Sequence, residues 1–348
     1  MVVCNESCTC ASRQSPERSI LLLRMMSRRA MLRVALAAFC LVRWQGNHSF
    51  AAPSRRQWLC ASLTIPEAAA PRPAIAAELK ADAPCVRQKV LALAAARPEL
   101  APALLRLAFH DAATWRKGRD GPNGSIRFEL ARNENVGPSL RAALQQVSTI
   151  VDSCQVSWAD AIAVGGAAAV EALGGPVIPV DTGRKDVDVA DAEGRLPDAA
   201  LTAGAIRDYF RQLGLSDAEL VALVGAHTVG RWTSLFDVTG ECMAKDGREF
   251  WECTREQGRR LPFTSHPAKF NNEYFKEVLA WEERQKLPRP KKKFKDRADS
   301  EKTPTQFLLP SDIGLTFDPG LHKEVERFAT DEPAFFAAFA RAYQKLVS

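Results

Sequence analysis

The chain has 348 residues, 46% of them hydrophobic and 25% charged, with a formal net charge of +6. This is an ordinary soluble composition, long enough for one large domain or two small ones with an ample core. The charge is too modest to mark a nucleic-acid binder. Its one basic run, Pro288-Arg-Pro-Lys-Lys-Lys-Phe-Lys-Asp-Arg297, reads as a solvated loop, so no nucleic-acid partner is expected. Of nine cysteines, Cys4, Cys8, Cys10, Cys40 and Cys60 lie near the N-terminus, and Cys85, Cys154, Cys242 and Cys253 lie further on. No Cys-x-x-Cys pair occurs among these last residues, which argues against a zinc site. Four cysteines allow three pairings, and spacing does not choose between them.

The first 78 residues do not read as a folded domain, being rich in Ser, Arg, Ala and Pro and poor in acidic residues. Arg28-Arg29 precedes an apolar run over 31–42, too short to span a bilayer comfortably and suited to a signal segment. Ser49-Phe-Ala-Ala52 then resembles the two-part presequences of proteins sent to plastids bounded by extra membranes, where a Phe follows the cleavage site. Arg55-Arg56, a weakly apolar run at 58–65 and Ala74-Ile-Ala-Ala77 resemble a thylakoid-transfer signal. A presequence over 1–78 that is removed is therefore expected. The destination is a plastid, with the thylakoid lumen as a further step and the secretory pathway as the alternative. No stable membrane insertion is expected after processing.

Residues 79–348 read as one domain with insertions over about 231–262 and 285–306. A helix over 80–96 places Val86, Val90, Leu91 and Ala94 on one face. Pro98 breaks it, and a second helix over 100–115 uses Leu104, Leu105 and Ala108. The loop Lys117-Gly-Arg-Asp-Gly-Pro-Asn-Gly-Ser125 has too little apolar content to be more than turns. Helices follow over 140–151 and 158–173, the latter stopped by Gly174-Gly-Pro176. After an irregular polar stretch, 198–213 reads as amphipathic helix. Ser216-Asp-Ala-Glu219 is a capping-box start for a helix running into His227. Residues 231–262 read as a polar stretch, and helices return at about 271–284, 319–328 and 332–346. No strand-rich region is expected, so the fold class is mostly α.

Arg106 and His110 stand out from the apolar pattern of the second helix. One turn apart, they share a face, where an imidazole can move a proton beside a guanidinium that stabilises developing charge. Gly225-Ala-His-Thr-Val-Gly230 supplies a second histidine, His227. With these stand Gly183-Arg184, Glu193-Gly-Arg-Leu-Pro-Asp198, Pro262-Phe-Thr-Ser265, Phe270-Asn-Asn-Glu-Tyr-Phe275, Leu309-Pro-Ser-Asp312 and Asp331-Glu-Pro-Ala-Phe-Phe336. In this order the segments resemble the plant-type haem peroxidases, within them the ascorbate peroxidase-like class I branch. The pattern is closest to the plastid ascorbate peroxidase-related proteins.

The resemblance implies a two-lobed, mostly α fold with haem b between a distal and a proximal helix. It implies reduction of hydrogen peroxide to water through a ferryl intermediate, with oxidation of a small organic donor, as a response to oxidative stress. His227 matches the ligand of the haem iron, and Asp312 the carboxylate bonded to its other nitrogen. Arg106 and His110 match the distal acid–base pair. Asn135 matches the amide that orients His110, with Asn133 as the alternative. Phe109 and Phe263 take the places of the distal and proximal tryptophans of ascorbate peroxidases, so Asp312 is expected to lose one hydrogen-bond donor. Phe109 also excludes a catalase-peroxidase crosslink. Pro98 and Phe236 replace the Lys and Arg of the ascorbate site, making ascorbate a doubtful donor. Of three carboxylates needed for manganese oxidation, only Glu99 is present, against Ala103 and Thr233. Asp111, Gly121, Asn123 and Ser125 align with the distal calcium ligands of secreted peroxidases, which implies one calcium ion. Near the proximal side, Thr228 and Thr264 fit a cation site but Asn271 replaces its carboxylate, so potassium is not expected. Cys85 and Cys154 resemble a disulfide pair of secreted plant peroxidases, and Cys242 and Cys253 would close a small loop. The alternative is a non-catalytic haem-binding or scaffold protein of this fold, which predicts a damaged constellation.

Overall fold

The computed structural model describes residues 82–116, 121–135, 137–232, 239–244, 250–259, 261–286 and 304–348. The presequence read over 1–78, the basic run at 288–297, Thr233 and Phe236 lie outside the described residues.

Four helices build the first part of the core: α1 (Asp82–Ala96), α2 (Ala101–Ala112), α3 (Pro138–Cys154) and α4 (Trp158–Ala172). Helix α4 is buried on every side from Ala159 to Val170, and its run of Ala and Gly lets neighbours approach closely. The tightest approach is at Gly166, where an added Cβ would lie 2.5 Å from Ala108 Cβ on α2 and would also strike the Tyr343 hydroxyl. Gly174, at φ 91°, ends the segment in the left-handed region that favours glycine. Cys85 on α1 and Cys154 on α3 face each other with Cα atoms 5.8 Å apart, within the span of a disulfide.

The second group comprises α5 (Ala203–Gln212), α6 (Asp217–Val224), a short helix α7 (Arg255–Gly258), α8 (Glu273–Gln285), a short helix α9 (Pro310–Gly314), α10 (Pro319–Thr330) and α11 (Glu332–Leu346). Helix α5 begins later than the amphipathic pattern suggests. Asp198 accepts from Ala200 N in its own turn, and Thr202 caps the helix. The capping box at Ser216 and Glu219 forms as its residues imply. Phe270, Phe275, Phe328, Phe335 and Phe339 are fully buried together, with Phe275 and Phe335 edge to face at 4.9 Å. Gly225 fits against this cluster because a Cβ there would lie 2.5 Å from the Phe275 ring.

The stretch read as polar and strandless carries a small sheet instead. Strands β1 (Gly240–Ala244), β2 (Phe250–Cys253) and β3 (Pro304–Leu308) pair antiparallel in the order β2-β1-β3, with Cys242 opposite Trp251 on one side and Phe307 on the other. The two regions read as separate insertions thus share one sheet. Cys242 and Cys253 have Cα atoms 5.6 Å apart across β1 and β2. Strand β3 runs straight into α9, which carries Asp312.

Candidate active site

Helix α2 buries Leu104, Leu105, Leu107 and Ala108, leaving Arg106, Phe109 and His110 half-buried. The Arg106 guanidinium reaches the segment that leads into α3, donating to Glu134 O at 3.2 Å and Ser139 Oγ at 3.4 Å. Burial lowers its pKa to about 10, which leaves it charged at neutral pH. His110 Nδ1 lies 2.6 Å from Asn135 Oδ1, while Asn135 Nδ2 donates to Glu129 O at 3.2 Å. The second bond fixes which end of the amide is oxygen. His110 Nδ1 must therefore carry the proton, leaving the lone pair on Nε2. Burial pushes the His110 pKa down to about 3, helped by the Arg106 charge and opposed by the bond to Asn135. Phe109 meets the His110 ring edge-on at 6.0 Å and packs on Phe210. Of the two asparagines that fit the sequence, the structure gives this contact to Asn135; Asn133 opens the same short turn.

The loop expected to hold calcium carries several internal bonds, while Ser125 Oγ is buried with no hydrogen-bond partner. Asp111 accepts from Gly124 N at 3.0 Å and Ile126 N at 3.3 Å. Gly121 N and Asn123 Nδ2 both donate to Asp191, which also accepts from Thr114 Oγ1 at 2.6 Å. Asn123 Oδ1 accepts from Ser125 N. Asp191, which sequence reasoning left unassigned in an irregular stretch, thus ties the loop together. Among the described residues no group of three or more His, Cys, Asp or Glu is arranged to hold a metal ion. Burial raises the Asp111 carboxyl to about 7 against its amide bonds, with Asp191 and Glu129 adding repulsion.

On the other side, a tight turn over Gly225–Thr228 follows α6 and carries His227. His227 Nδ1 lies 2.8 Å from Asp312 Oδ1, across 85 residues of chain. A carboxylate only accepts, so Nδ1 donates, which in the neutral ring leaves the lone pair on Nε2. The Phe263 ring stacks on His227 at 4.6 Å, 8° from parallel, and Tyr274 meets it edge-on at 5.9 Å. The His227 side chain is 34% exposed while Asp312 is at 0%, so the pair is open only on the imidazole side.

Phe263 has no donor to give Asp312, and two other groups bond the carboxylate besides His227. Tyr274 Oη donates to Asp312 Oδ1 at 2.9 Å, and Leu309 N donates to Oδ2 at 2.8 Å. Burial, with the Asp312 charge beside it, holds the Tyr274 pKa well above the ordinary value, so it stays a protonated donor. The signal for it was the polar tip of a tyrosine at a core position of a helix, which must find a partner. Nearby, Thr228 Oγ1 donates to Asn271 Oδ1 at 2.8 Å and Thr264 Oγ1 to Thr228 O at 2.7 Å, so both hydroxyls are bonded within the protein.

The peroxidase family profile matches residues 86–331. The chain belongs to the peroxidase family. Relatives include "Probable L-ascorbate peroxidase 3, peroxisomal" of Oryza sativa subsp. japonica, 33% identical over 277 residues, covering 79% of this chain and 81% of that protein. "L-ascorbate peroxidase 5, peroxisomal" of Arabidopsis thaliana is 37% identical, covering 75% and 79%. "L-ascorbate peroxidase T, chloroplastic" of the same plant is 34% identical, covering 70% and 55%. These relatives place the chain in the class I branch of plant-type haem peroxidases, as an oxidoreductase acting on hydrogen peroxide.

The family implies haem, and the residues fit it. His227 presents a bare Nε2, the form of imidazole that binds iron, with its ring held on two sides and its Nδ1 tied to a carboxylate, as iron-ligating histidines usually are.

Proposed function

We propose that this chain reduces hydrogen peroxide to water with haem b, taking electrons from a small organic donor other than ascorbate. His227 would hold the iron, and Asp312 would draw on its Nδ1 proton, raising the basicity of the ligand. Haem, when bound, supplies the redox chemistry that accepts oxygen from peroxide and returns the oxidising equivalents to a donor one electron at a time. The remaining work belongs to side chains. His110 Nε2 takes the proton from the incoming peroxide and gives it to the departing oxygen. Arg106 stabilises the negative charge that builds on that oxygen. Asn135 keeps His110 in the tautomer that makes this transfer feasible, and Phe109 forms an apolar wall beside it.

The observation that carries the reading is the bond from His110 Nδ1 to an amide oxygen whose own orientation is fixed. It leaves a neutral imidazole with its lone pair free beside a charged guanidinium. A non-catalytic scaffold of this fold has no need of that arrangement. The relatives' names favour ascorbate; Pro98 and Phe236, where a Lys and an Arg would bind it, speak against it. We further propose import into a plastid after removal of the presequence, bonds between Cys85 and Cys154 and between Cys242 and Cys253, and a role in the response to oxidative stress. Stopped-flow mixing of the haem-loaded protein with peroxide, then with ascorbate and a panel of phenols, tests the reading. Rapid loss of the ferric spectrum followed by recovery with phenols is expected. Failure to react with peroxide overturns the enzyme reading, and fast recovery with ascorbate overturns the donor reading.

A further inference from the structure

The chain has three tyrosines, Tyr209, Tyr274 and Tyr343, and all are buried. Their hydroxyls meet acceptors of different character. Tyr209 Oη donates to Ala113 O at 2.9 Å and Tyr343 Oη to Ala163 O at 2.8 Å. Backbone carbonyls accept a hydrogen bond but are too weakly basic to take the proton. Tyr274 Oη donates instead to a carboxylate, Asp312 Oδ1, at 2.9 Å. Its ring also meets the His227 imidazole edge-on at 5.9 Å. Phe263, stacked on the same imidazole, is a hydrocarbon with no proton to give. Tyr274 is thus the one tyrosine bonded to a base, and it sits against the residue that would hold the iron. The chemistry above asks nothing of it.

A buried phenol gives up an electron readily only when its proton leaves too, because a bare cation in an apolar interior is costly. A base within hydrogen-bond reach removes that obstacle. Reduction of one peroxide to water takes two electrons from the haem site, and a one-electron donor returns them singly. One oxidising equivalent therefore waits in the protein between donors. We propose that Tyr274 holds this equivalent as a phenoxyl radical. Its O–H bond breaks, the proton passes to Asp312 Oδ1, and the electron passes by way of His227 to the oxidised haem. The ring stays neutral throughout. Later an electron from the donor, arriving through haem, and the proton on Asp312 restore the phenol. This rests on the haem reading above and adds to it a residue that keeps an oxidising equivalent inside the protein. Tyr274 is fully buried, so neither donor nor solvent touches the radical. Phe275 lies against it at 5.2 Å, and that ring is harder to oxidise than a phenol, so it offers the equivalent no way onward.

The test mixes the haem-loaded full chain with peroxide in the absence of donor and freezes it rapidly. Electron paramagnetic resonance is then read alongside the optical spectrum. An organic radical signal is expected, and growth on ring-deuterated tyrosine should narrow it. Tyr274→Phe should abolish that signal, whereas Tyr209→Phe and Tyr343→Phe should each keep it. A role in packing or in bonding Asp312 alone would leave no such signature. A radical signal that deuterated tyrosine does not narrow, or a tyrosyl signal that persists in Tyr274→Phe, overturns the inference.

If Tyr274→Phe does not fold, the double variant Tyr209→Phe with Tyr343→Phe still decides, since Tyr274 is then the only tyrosine in the chain. A tyrosyl signal should arise there. Exchange into heavy water should remove the hyperfine coupling of a proton, the one held between the phenoxyl oxygen and Asp312 Oδ1. Absence of the signal or of that exchangeable coupling overturns the proposal. A haem-loaded chain whose optical spectrum does not respond to peroxide defeats the enzyme reading as well. A normal optical response without a tyrosyl signal defeats this inference alone.

Discussion

Two histidines in this molecule are held in the same way by partners of opposite character. Both give the proton on Nδ1 to an oxygen and keep a lone pair on Nε2. For His110 the oxygen belongs to a neutral amide, Asn135; for His227 it belongs to a buried carboxylate, Asp312. An amide fixes the tautomer while adding no charge, so burial and Arg106 are free to hold the His110 pKa near 3. A carboxylate pulls on the proton and pushes electron density toward Nε2. One site is tuned to exchange a proton, the other to donate to a metal, and the difference lies in a single atom of the partner.

The largest effect that probes this contrast is expected on the distal side. Replacing His110 by Leu should slow the reaction with peroxide by about 10²- to 10⁴-fold, measured as the second-order rate constant in stopped flow. In the wild-type protein that constant should stay level as the pH falls from 7 to about 4, then drop as His110 takes up a proton near its pKa of about 3. A drop centred on the ordinary histidine value would show that the imidazole is not held as the structure describes.

On the proximal side, Asp312→Asn should cost about 10- to 100-fold in activity or haem affinity and raise the ferric–ferrous potential, because the pull on Nδ1 is weakened. A potential that falls would break the contrast. The smallest change, Tyr274→Phe, should act in the opposite sense. It removes one donor from Asp312 Oδ1 and leaves that oxygen to His227 alone, so the potential should fall. Global stability should drop by about 1.5 kcal/mol, read from urea unfolding. A rise in potential would mean that the hydroxyl does not compete with His227 for that oxygen.

The two sides also differ in how far they can be read from the chain. The distal face is local: Arg106 and His110 are one helical turn apart, and the apolar residues between them already show which face is left over. Even Asn135 is only 25 residues from the histidine it holds. The proximal side is gathered from the turn at 225–228, Phe263, Tyr274 on α8 and Asp312 on α9. Spacing links none of these, so His227 and Asp312 were legible only through a family pattern. Tyr274 was missed inside a quoted segment. The sheet was missed because its strands are four or five residues long and β3 lies some fifty residues beyond β1 and β2 in the chain. Asp191 was missed because a carboxylate in an irregular stretch looks solvated until Thr114, Gly121 and Asn123 are seen to converge on it.

The absence of a side chain at Gly166 reaches further than its own helix. Ala108 presses on that point from α2 and the Tyr343 ring from α11, with the Tyr343 hydroxyl bonded to Ala163 O. Arg106 and His110 flank Ala108 on a rigid rod, so they move only together. Their height above the cleft is therefore a dimension of the scaffold, gauged where two helices bear on the same hydrogen-sized notch.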